Sequence, residues 1–331
     1  MKVAISIINY KTPELVVDCL NSVVQEMAEL EGIEVFLVDN DSQDESAQIF
    51  NHYIENNHCK EVVHFIQAER NGGFAYGNNL AIQAAMSQKD KPDFIYLLNP
   101  DTVLHKHGIN HLVNFMHQNS QVGIAGGSLV GPDGEYQGAP RRFPSLFSEL
   151  ETSARLGLIS RLLDRHVVPL PLSEKPFACD WVSGASMMIR REVIESIGGM
   201  DEGYFLYFEE VDFCYQTKAA GFEIWYVPDS VITHIEGAST GVNQRKRRGK
   251  YWYDSRRRYF VVNYGVFHLI GADFMWGLGR LSFNLRRLFG LGKSFESVET
   301  DPTWFAWDLL VGDCVALVTG KIFGERKRTN G

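Results

Sequence analysis

Short apolar segments rich in β-branched residues alternate with helical segments along the first part of the chain. Continuous hydrophobic runs of this kind are typical of buried parallel strands, and they occupy residues 3–8, 35–38, 62–66, 94–98 and 123–130. Segments with helical periodicity separate them; the first begins at Thr12-Pro13, a favourable helix start. The alternation predicts an α/β fold, with a mostly parallel sheet covered by helices on both faces.

Polar side chains follow four of these strands. They are Asn9 and Tyr10 and the runs 39–42, 70–73 and 99–102. Because parallel strands end at the same edge of a sheet, and such sheets bind ligands at that edge, we expect these groups to share one site.

The pattern changes in the second half. Residues 181–189, 224–227 and 231–233 are predicted strands, and residues 208–220 form a predicted helix that Gly221 ends. Beyond Gln244 the chain becomes basic and then aromatic. We predict one domain over 1–240, with halves 1–130 and 131–240, and a helical C-terminal region over 241–331.

Charge divides at the same place. Residues 1–240 contain 16 Lys and Arg against 33 Asp and Glu, whereas 241–331 contain 16 against 8. The five cysteines form no C-x-x-C pair, and the N-terminus lacks the features of a signal peptide. These observations predict a cytoplasmic protein without a zinc or disulfide framework.

Two acidic positions at strand ends are open to two interpretations each. Asp101, in Asn99-Pro100-Asp101, could hold Mg²⁺ or Mn²⁺ against a diphosphate, but the same tripeptide is a good Asx turn. Asp39 could contact a base or ribose, or it could cap the next helix.

The remaining chemical candidates lie in loops and at helix starts. The glycine-rich stretch 70–79 could direct backbone amides at phosphate, although its spacing differs from the dinucleotide fingerprint. Glu209, Glu210 and Asp212 could include a general base, or they could simply favour the helix dipole. His234 ends a strand, where a lone histidine is more often structural; proximity to Asp101 would favour a metal ligand.

Eight basic residues lie within 245–258, interleaved with aromatic ones. A nucleic acid is a poor partner, because the acidic first domain would repel it. An anionic membrane surface or a pyrophosphate-lipid, contacted through residues 245–290, is the better interpretation. An ordinary helical subdomain with a solvated basic face is the alternative.

Taken together and in order, the motifs of residues 3–240 resemble the family 2 inverting glycosyltransferases of GT-A fold, in their rhamnosyltransferase-like branch from bacterial polysaccharide biosynthesis. The matching blocks are Ile8-Asn9-Tyr10, Val38-Asp39-Asn40-Asp41-Ser42, Asn71-Gly72-Gly73-Phe74, Gly77-Asn78-Asn79, Leu98-Asn99-Pro100-Asp101, Trp181-Val182-Ser183-Gly184-Ala185, Gly199-Met200-Asp201-Glu202, Phe208-Glu209-Glu210-Val211-Asp212 and His234.

The resemblance implies a role for each block. Asp39 would contact the base, with Asn9 and Tyr10 nearby, and Asn71 and Asn79 would flank the nucleotide. Asp101, as the last acid of the DXD motif, would bind one divalent cation together with His234. Glu210 would be the catalytic base, with Glu209 and Asp212 as alternatives. Trp181, Gly184 and Asp212 would shape the acceptor side.

Two positions depart from the family pattern: Asn99 replaces the first acid of DXD, and Glu210 stands where the family usually has Asp. The expected activity is transfer of a sugar, first choice L-rhamnose from a dTDP-linked donor, to a glycan or lipid-pyrophosphate-linked acceptor at the inner face of the cytoplasmic membrane. Three alternatives stay open. They are transfer from another dTDP- or UDP-sugar, a non-catalytic sugar-nucleotide binding protein, and a nucleotidyltransferase. A nucleotidyltransferase would need a basic phosphate-binding loop after the first strand, and residues 10–13 of this chain do not form one.

Overall fold

The computed structural model describes residues 1–138, 140–235, 247–290, 302–321 and 326. Its strands are β1 (Val3–Asn9), β2 (Ile33–Asp39), β3 (Val63–Gln67), β4 (Phe94–Leu98), β5 (Thr102–Leu104), β6 (Val122–Val130), β7 (Tyr136–Gln137), β8 (Phe177–Ala178), β9 (Ser186–Arg190) and β10 (Glu223–His234). Its α-helices are α1 (Pro13–Met27), α2 (Ser46–Asn56), α3 (Gly73–Met86), α4 (Gly108–Gln118), α5 (Leu146–Ala154), α6 (Gly157–Leu162), α7 (Arg191–Ile197), α8 (Glu209–Ala219), α9 (Lys250–Tyr264), α10 (Val266–Leu288) and α11 (Phe305–Val318).

One sheet organises the first part of the chain, with strand order β3-β2-β1-β4-β9-β6-β10-β5. The pairs β3–β2, β2–β1 and β1–β4 are parallel, as are β6 and β10. Strand β9 runs antiparallel to both β4 and β6, and β5 is antiparallel to β10. All seven residues of β1 are buried. The predicted α/β fold is therefore confirmed, and its sheet contains both parallel and antiparallel pairs.

Two details of the second half differ from the predictions. The strand predicted at 181–189 begins only at Ser186, because Gly184 and Ala185 form a turn and Trp181 makes an isolated bridge to Arg141. The strands predicted at 224–227 and 231–233 are a single strand, β10, with an irregular register between Tyr226 and Val231. Pro228, which cannot donate to a ladder, lies in that irregular part.

Contacts divide the chain into two compact units. Among the described residues, unit 1 comprises 1–138, 140–141 and 171–235, and unit 2 comprises 142–170, 247–290, 302–321 and 326. The predicted first domain, 1–240, includes 142–170, but this stretch groups with the C-terminal helices. The sequence of 142–170 does not indicate which unit it joins, because a tertiary contact with the C-terminal helices determines this.

Unit 2 is built on close helix packing. A Cβ on Gly279 of α10 would lie 2.7 Å from the Leu150 carbonyl oxygen of α5, so glycine permits this approach. Arg256 is buried and forms ion pairs with Glu149, Asp273 and Asp313. Within the described ranges, no helix combines the length and hydrophobicity needed to span a bilayer.

The basic run is only partly the solvated face that stands as the alternative to membrane binding. Arg245 and Lys246 lie outside the described residues. Four others form ion pairs, and two of these, Arg256 and Arg257, are buried. Burial of an arginine with its carboxylate partners removes its charge from the surface, so the run contributes less positive surface than its composition indicates.

Candidate active site

The ends of the parallel strands bring the predicted site residues to one edge of the sheet. Asn9 pairs in register with Asp39, and Leu98 at the end of β4 lies opposite Ser186 at the start of β9. The turn after β4 and the segment before β9 are therefore neighbours. The amide of Asn99 donates to the carbonyl of Ala185 at 3.1 Å, which ties the Asn99-Pro100-Asp101 turn to residues 183–185.

Asp101 and His234 meet through the pairing of β5 with β10. Thr102 lies opposite His234 in this antiparallel pair, and the amide of Ile235 donates to the Asp101 carbonyl at 2.9 Å. As a result, His234 Nε2 lies 3.5 Å from Asp101 Oδ1. Asp101 is 4% exposed, and its Oδ1 has no hydrogen-bond partner in the described structure. The geometric condition for His234 as a metal ligand is met.

The donor set of this pair suits a divalent cation that is also held by its substrate. Across the described ranges, no group of three or more His, Cys, Asp or Glu side chains could hold a metal ion. A buried carboxylate oxygen without a partner is costly unless something binds it. Mg²⁺ and similar cations commonly use one or two protein ligands and complete their shell with waters and phosphate oxygens. Asp101 and His234 fit that pattern, whereas a site made of protein ligands alone does not.

Glu210 lies beside the segment that precedes β9. A Cβ placed on Gly184 would be 3.0 Å from the Phe74 ring and 3.7 Å from Glu210 Cβ. Glycine at 184 therefore allows Phe74 and Glu210 to approach the same turn. Since Ala185 also binds the turn that contains Asp101, the candidate base and the candidate metal ligand are joined through one short segment.

The acids at the start of α8 differ in their electrostatic environment. Glu209 and Glu210 each have a buried Oε2 without a hydrogen-bond partner in the described structure. Burial and the neighbouring charge of Glu210 hold the pKa of Glu209 well above its ordinary value. Burial also raises the pKa of Glu210, but its own backbone amide and the positive charge of Arg141 oppose that rise. Arg141 thus favours the ionised form of Glu210, whereas the charge next to Glu209 is a second carboxylate. Asp212, one turn further on, is buried.

Arg141 is a site residue that the sequence analysis missed. Its backbone exchanges hydrogen bonds with Trp181 at 3.1 Å in both directions, and its guanidinium lies 4.7 Å from the centre of the Trp181 ring. Trp181 is itself only 8% exposed. The stacking and the bridge orient Arg141, and its charge acts on Glu210. A single arginine in an irregular segment carries no sequence signal that would have revealed this arrangement.

The loop before α8 is held against the glycine-rich stretch. Gly73 has φ +85°, and a Cβ on it would lie 1.9 Å from the Phe205 carbonyl oxygen. That carbonyl accepts a hydrogen bond from the Phe74 amide at 2.9 Å. Tyr207 and Phe208 both have positive φ, at +69° and +67°. The chain thus turns sharply before Glu209, and Gly73 fixes where that turn begins.

Asp39 is the centre of a buried polar network. Its carboxylate accepts hydrogen bonds from Asn9 Nδ2 at 2.7 Å, from the amide of Ser42 at 3.1 Å, from Ser42 Oγ at 2.5 Å and from Gln67 Nε2 at 2.9 Å. Asn9 also accepts from the amide of Thr12. Asp39 is not the cap of the next helix, because α2 starts at Ser46. It organises the loops that follow β1 and β2.

The asparagines of the glycine-rich stretch also have structural partners. Asn71 Oδ1 accepts from Asn40 Nδ2 and from the amide of Gly73. Asn79 is 1% exposed and exchanges hydrogen bonds with the backbone of Met200 in both directions, at 2.8 and 2.9 Å. Asn79 therefore ties α3 to the loop at 200–202. Tyr10 is partly exposed at the end of β1. The nucleotide-contacting roles of these residues stay predictions.

A mostly parallel sheet that gathers these groups at one edge is the fold of the GT-A glycosyltransferases. A mannosyltransferase from Pyrobaculum calidifontis in complex with GDP-Man and Mn²⁺ matches 97% of this chain and 88% of its own, with a TM-score of 0.62 and 12% identity. A crystal structure of Staphylococcus aureus TarS 1-349 matches 97% of this chain and 82% of its own, with a TM-score of 0.52 and 16% identity.

Residues 2–255 match the family described as "Glycosyltransferase like family 2", and the chain belongs to that family. The low-salt glycan biosynthesis hexosyltransferase Agl10 of Haloferax volcanii is 26% identical over 78% of this chain and 75% of its own. Rhamnosyltransferase WbbL of Escherichia coli is 27% identical over 47% of this chain and 58% of its own. The N-acetylglucosaminyl-diphospho-decaprenol L-rhamnosyltransferase of Mycobacterium tuberculosis is 30% identical over 45% of this chain and 49% of its own. The chain thus spans about half the length of the last two relatives.

Proposed function

We propose that this glycosyltransferase inverts the anomeric centre of a nucleoside diphosphate sugar, with Glu210 as general base and a divalent cation held by Asp101 and His234. The observation that carries the proposal is the pair of Asp101 and His234, whose Oδ1 and Nε2 atoms lie 3.5 Å apart while the buried Asp101 Oδ1 has no hydrogen-bond partner in the described structure. When bound, the cation would act as a Lewis acid on the diphosphate leaving group.

The carboxylate of Glu210 takes the proton from an acceptor hydroxyl. The oxygen then attacks the anomeric carbon and forms the new C–O bond, while the bond from that carbon to the diphosphate breaks and the nucleoside diphosphate leaves with the electron pair. Attack opposite the leaving group inverts the anomeric configuration. Arg141 opposes the rise that burial causes in the pKa of Glu210, and so favours the carboxylate form that a general base requires.

The donor is a dTDP-linked deoxyhexose, first choice L-rhamnose, and the acceptor is a glycan or a lipid-diphosphate-linked sugar. Two relatives named as rhamnosyltransferases support the donor, and the diphospho-decaprenol in the name of one of them supports the acceptor. Both relatives share only about half of their length with this chain, so the donor needs a direct screen. Other UDP- and dTDP-sugars belong in the same panel.

A thermal-shift screen of nucleotide-sugars with Mn²⁺ or Mg²⁺ identifies the donor, because a ligand that binds only the folded state raises the melting temperature. Transfer or hydrolysis of that donor then compares Glu210→Gln with the wild type. We expect a loss of at least about 100-fold in kcat, in the range for positioned proton transfer, with unchanged donor binding. Glu195→Gln, an exposed acid on α7, is the matched control.

Metal dependence is tested by titrating the nucleotide with and without Mn²⁺. Asp101→Asn should abolish the metal-dependent gain in nucleotide affinity while the melting temperature of the free protein stays close to the wild type. NMR of the product reports the anomeric configuration. Retained configuration, or full activity of Glu210→Gln, would refute the mechanism. Stabilisation by a nucleotide-sugar without transfer or hydrolysis would favour the non-catalytic sugar-nucleotide binding protein.

A further inference from the structure

Helix α10 of unit 2 is apolar on two opposite faces. One face is buried in the unit through Leu269, Ala272, Trp276, Gly279 and Phe283. The other presents large hydrophobic side chains to solvent at intervals of three and four residues, namely Phe267, Ile270, Phe274, Leu278, Leu281, Leu285 and Leu288. Such spacing aligns side chains in one stripe along a helix. The stripe extends for about 30 Å.

Helix α11 repeats this arrangement. Its buried face consists of Leu309, Asp313 and Ala316. Its outer face exposes Trp304 by 64%, Trp307 by 59%, Val315 by 55% and Val318 by 88%. A soluble protein rarely leaves contiguous apolar surface of this extent uncovered, and when it does, the surface is usually an interaction site. Within the described part of the chain, nothing covers these two stripes.

We infer that the outer stripes of α10 and α11 insert into the boundary between headgroups and acyl chains of an anionic lipid bilayer. Neither helix is long and apolar enough to cross a bilayer, so they would lie in its plane. The N-terminal end of the α11 stripe carries Trp304 and Trp307, and tryptophan favours this interfacial depth.

Charge distinguishes a bilayer from a second copy of the chain. Asp273 is the one acidic residue of α10, and it faces inward to Arg256. Exposed Arg287 and Lys321 lie near the ends of the two stripes. The described residues of unit 2 contain 15 Lys and Arg against 7 Asp and Glu. Two positively charged units would repel each other, whereas anionic headgroups attract such a surface.

This inference differs from binding through the basic run, because the apolar side chains supply most of the affinity. Phe274, Leu281 and Leu285 are exposed, so replacing them with serine removes apolar contact with lipid while leaving the buried face of α10 intact. The expected loss in lipid partitioning for the triple variant is at least about tenfold, given the area rule for apolar burial.

The test is flotation of the full chain with vesicles of phosphatidylcholine and phosphatidylglycerol. The wild type should float, the Phe274→Ser/Leu281→Ser/Leu285→Ser variant should stay in the dense fraction, and Leu158→Ser/Leu162→Ser should float like the wild type. Leu158 and Leu162 are exposed hydrophobics on α6 and control for general loss of surface apolarity. Circular dichroism melting checks that all variants fold.

Three outcomes would overturn the inference. The first is equal flotation of the triple variant and the wild type, or no flotation of either. The second is complete release by 0.5 M salt, on the order of a 4 Å Debye length, since that would assign the binding to charge alone. The third is a wild-type dimer by light scattering that the triple substitution dissociates, which would assign the stripe to self-association. None of these measurements depends on the sugar donor or on Glu210.

Discussion

Replacement of Gly73 by alanine should disable the site without touching any acid in it. The new Cβ would lie 1.9 Å from the Phe205 carbonyl oxygen, whereas an ordinary contact needs about 3.4 Å. The loop that leads into Glu209 and Glu210 must then retreat by about 1.5 Å, the difference between those two distances. That retreat also stretches the hydrogen bond from the Phe74 amide to Phe205.

The expected magnitudes follow from these contacts. Alanine at φ +85° costs about 1–2 kcal/mol in backbone strain, and loss of the hydrogen bond costs about 1 kcal/mol. Reduced entropy of the unfolded chain offsets about 0.5 kcal/mol of this. The free energy of unfolding should therefore fall by about 2 kcal/mol. A displacement of an ångström at catalytic groups can cost on the order of 100-fold in rate, so kcat should fall by about that factor.

Gly134→Ala is the matched control. Gly134 has φ +82°, nearly the same as Gly73, but a Cβ on it has no neighbour within 4 Å. The control thus carries the backbone strain without the collision. Urea unfolding gives the stability of both variants, and initial rates with the donor from the thermal-shift screen give kcat. If Gly73→Ala loses no more activity than Gly134→Ala, Gly73 does not position the loop before α8.

Three further predictions use other contacts. Arg141→Gln should move the acid limb of the kcat–pH profile to higher pH, because loss of the positive charge lets burial raise the pKa of Glu210 further; an unmoved limb would contradict the role of Arg141. Burial raises the pKa of Asp273 to about 7, so the folded state binds this proton more tightly and stability should decline as pH rises from about 4 to 7. Asp273→Asn should shrink the fall in melting temperature between pH 5 and pH 8 by several °C, and an unchanged fall would contradict the assignment. Asn79→Ala should lower the free energy of unfolding by about 2 kcal/mol, since it removes two hydrogen bonds to Met200 and leaves that backbone unpaired; Asn114→Ala, an exposed position on α4, is the comparison that should stay near zero.

Periodicity and strand-end polarity were enough to predict the sheet and its functional edge. The first four strands are continuous apolar runs with helices between them, and this pattern leaves little choice of fold. Residues 99–101 follow β4, and β4 pairs in parallel with β1, so these residues lie beside the end of β1. The family model and the solved structures confirm membership of the glycosyltransferase family and the GT-A fold. The nine short motifs predicted both because their fixed order is specific, even though each motif is weak alone.

The predictions became weaker where tertiary contacts determine the structure. The grouping of 142–170 with the C-terminal helices depends on the approach of α5 to Gly279, which no local pattern encodes. The buried state of Arg256 was missed because its partners Glu149, Asp273 and Asp313 lie on three separate helices. A run of basic residues describes composition, but burial and pairing decide whether its charge reaches solvent.

Asp39 and Asn79 illustrate a different difficulty. The family resemblance implies nucleotide-contacting roles for both, and in the structure each also hydrogen-bonds to several protein groups. A polar residue at a functional edge can serve the ligand directly or shape the loop that does so, and the two requirements select the same residue types. Only the structure distinguishes direct ligand contact from a role in shaping the loop, because it shows which groups each side chain hydrogen-bonds.

The pairing of β5 with β10 has a consequence for the order in which the protein acquires its activity. Asp101 and His234 are 133 positions apart in the sequence, and their meeting requires β10 to complete the sheet at its edge. Contacts between residues so distant form late, because the loop-closure entropy must be overcome first. A nascent chain that ends before β10 can pair its first four strands without bringing Asp101 to His234. If the proposed cation site is correct, cation-dependent nucleotide binding arises only after β10 has paired with β5, so this step can be timed in a refolding experiment.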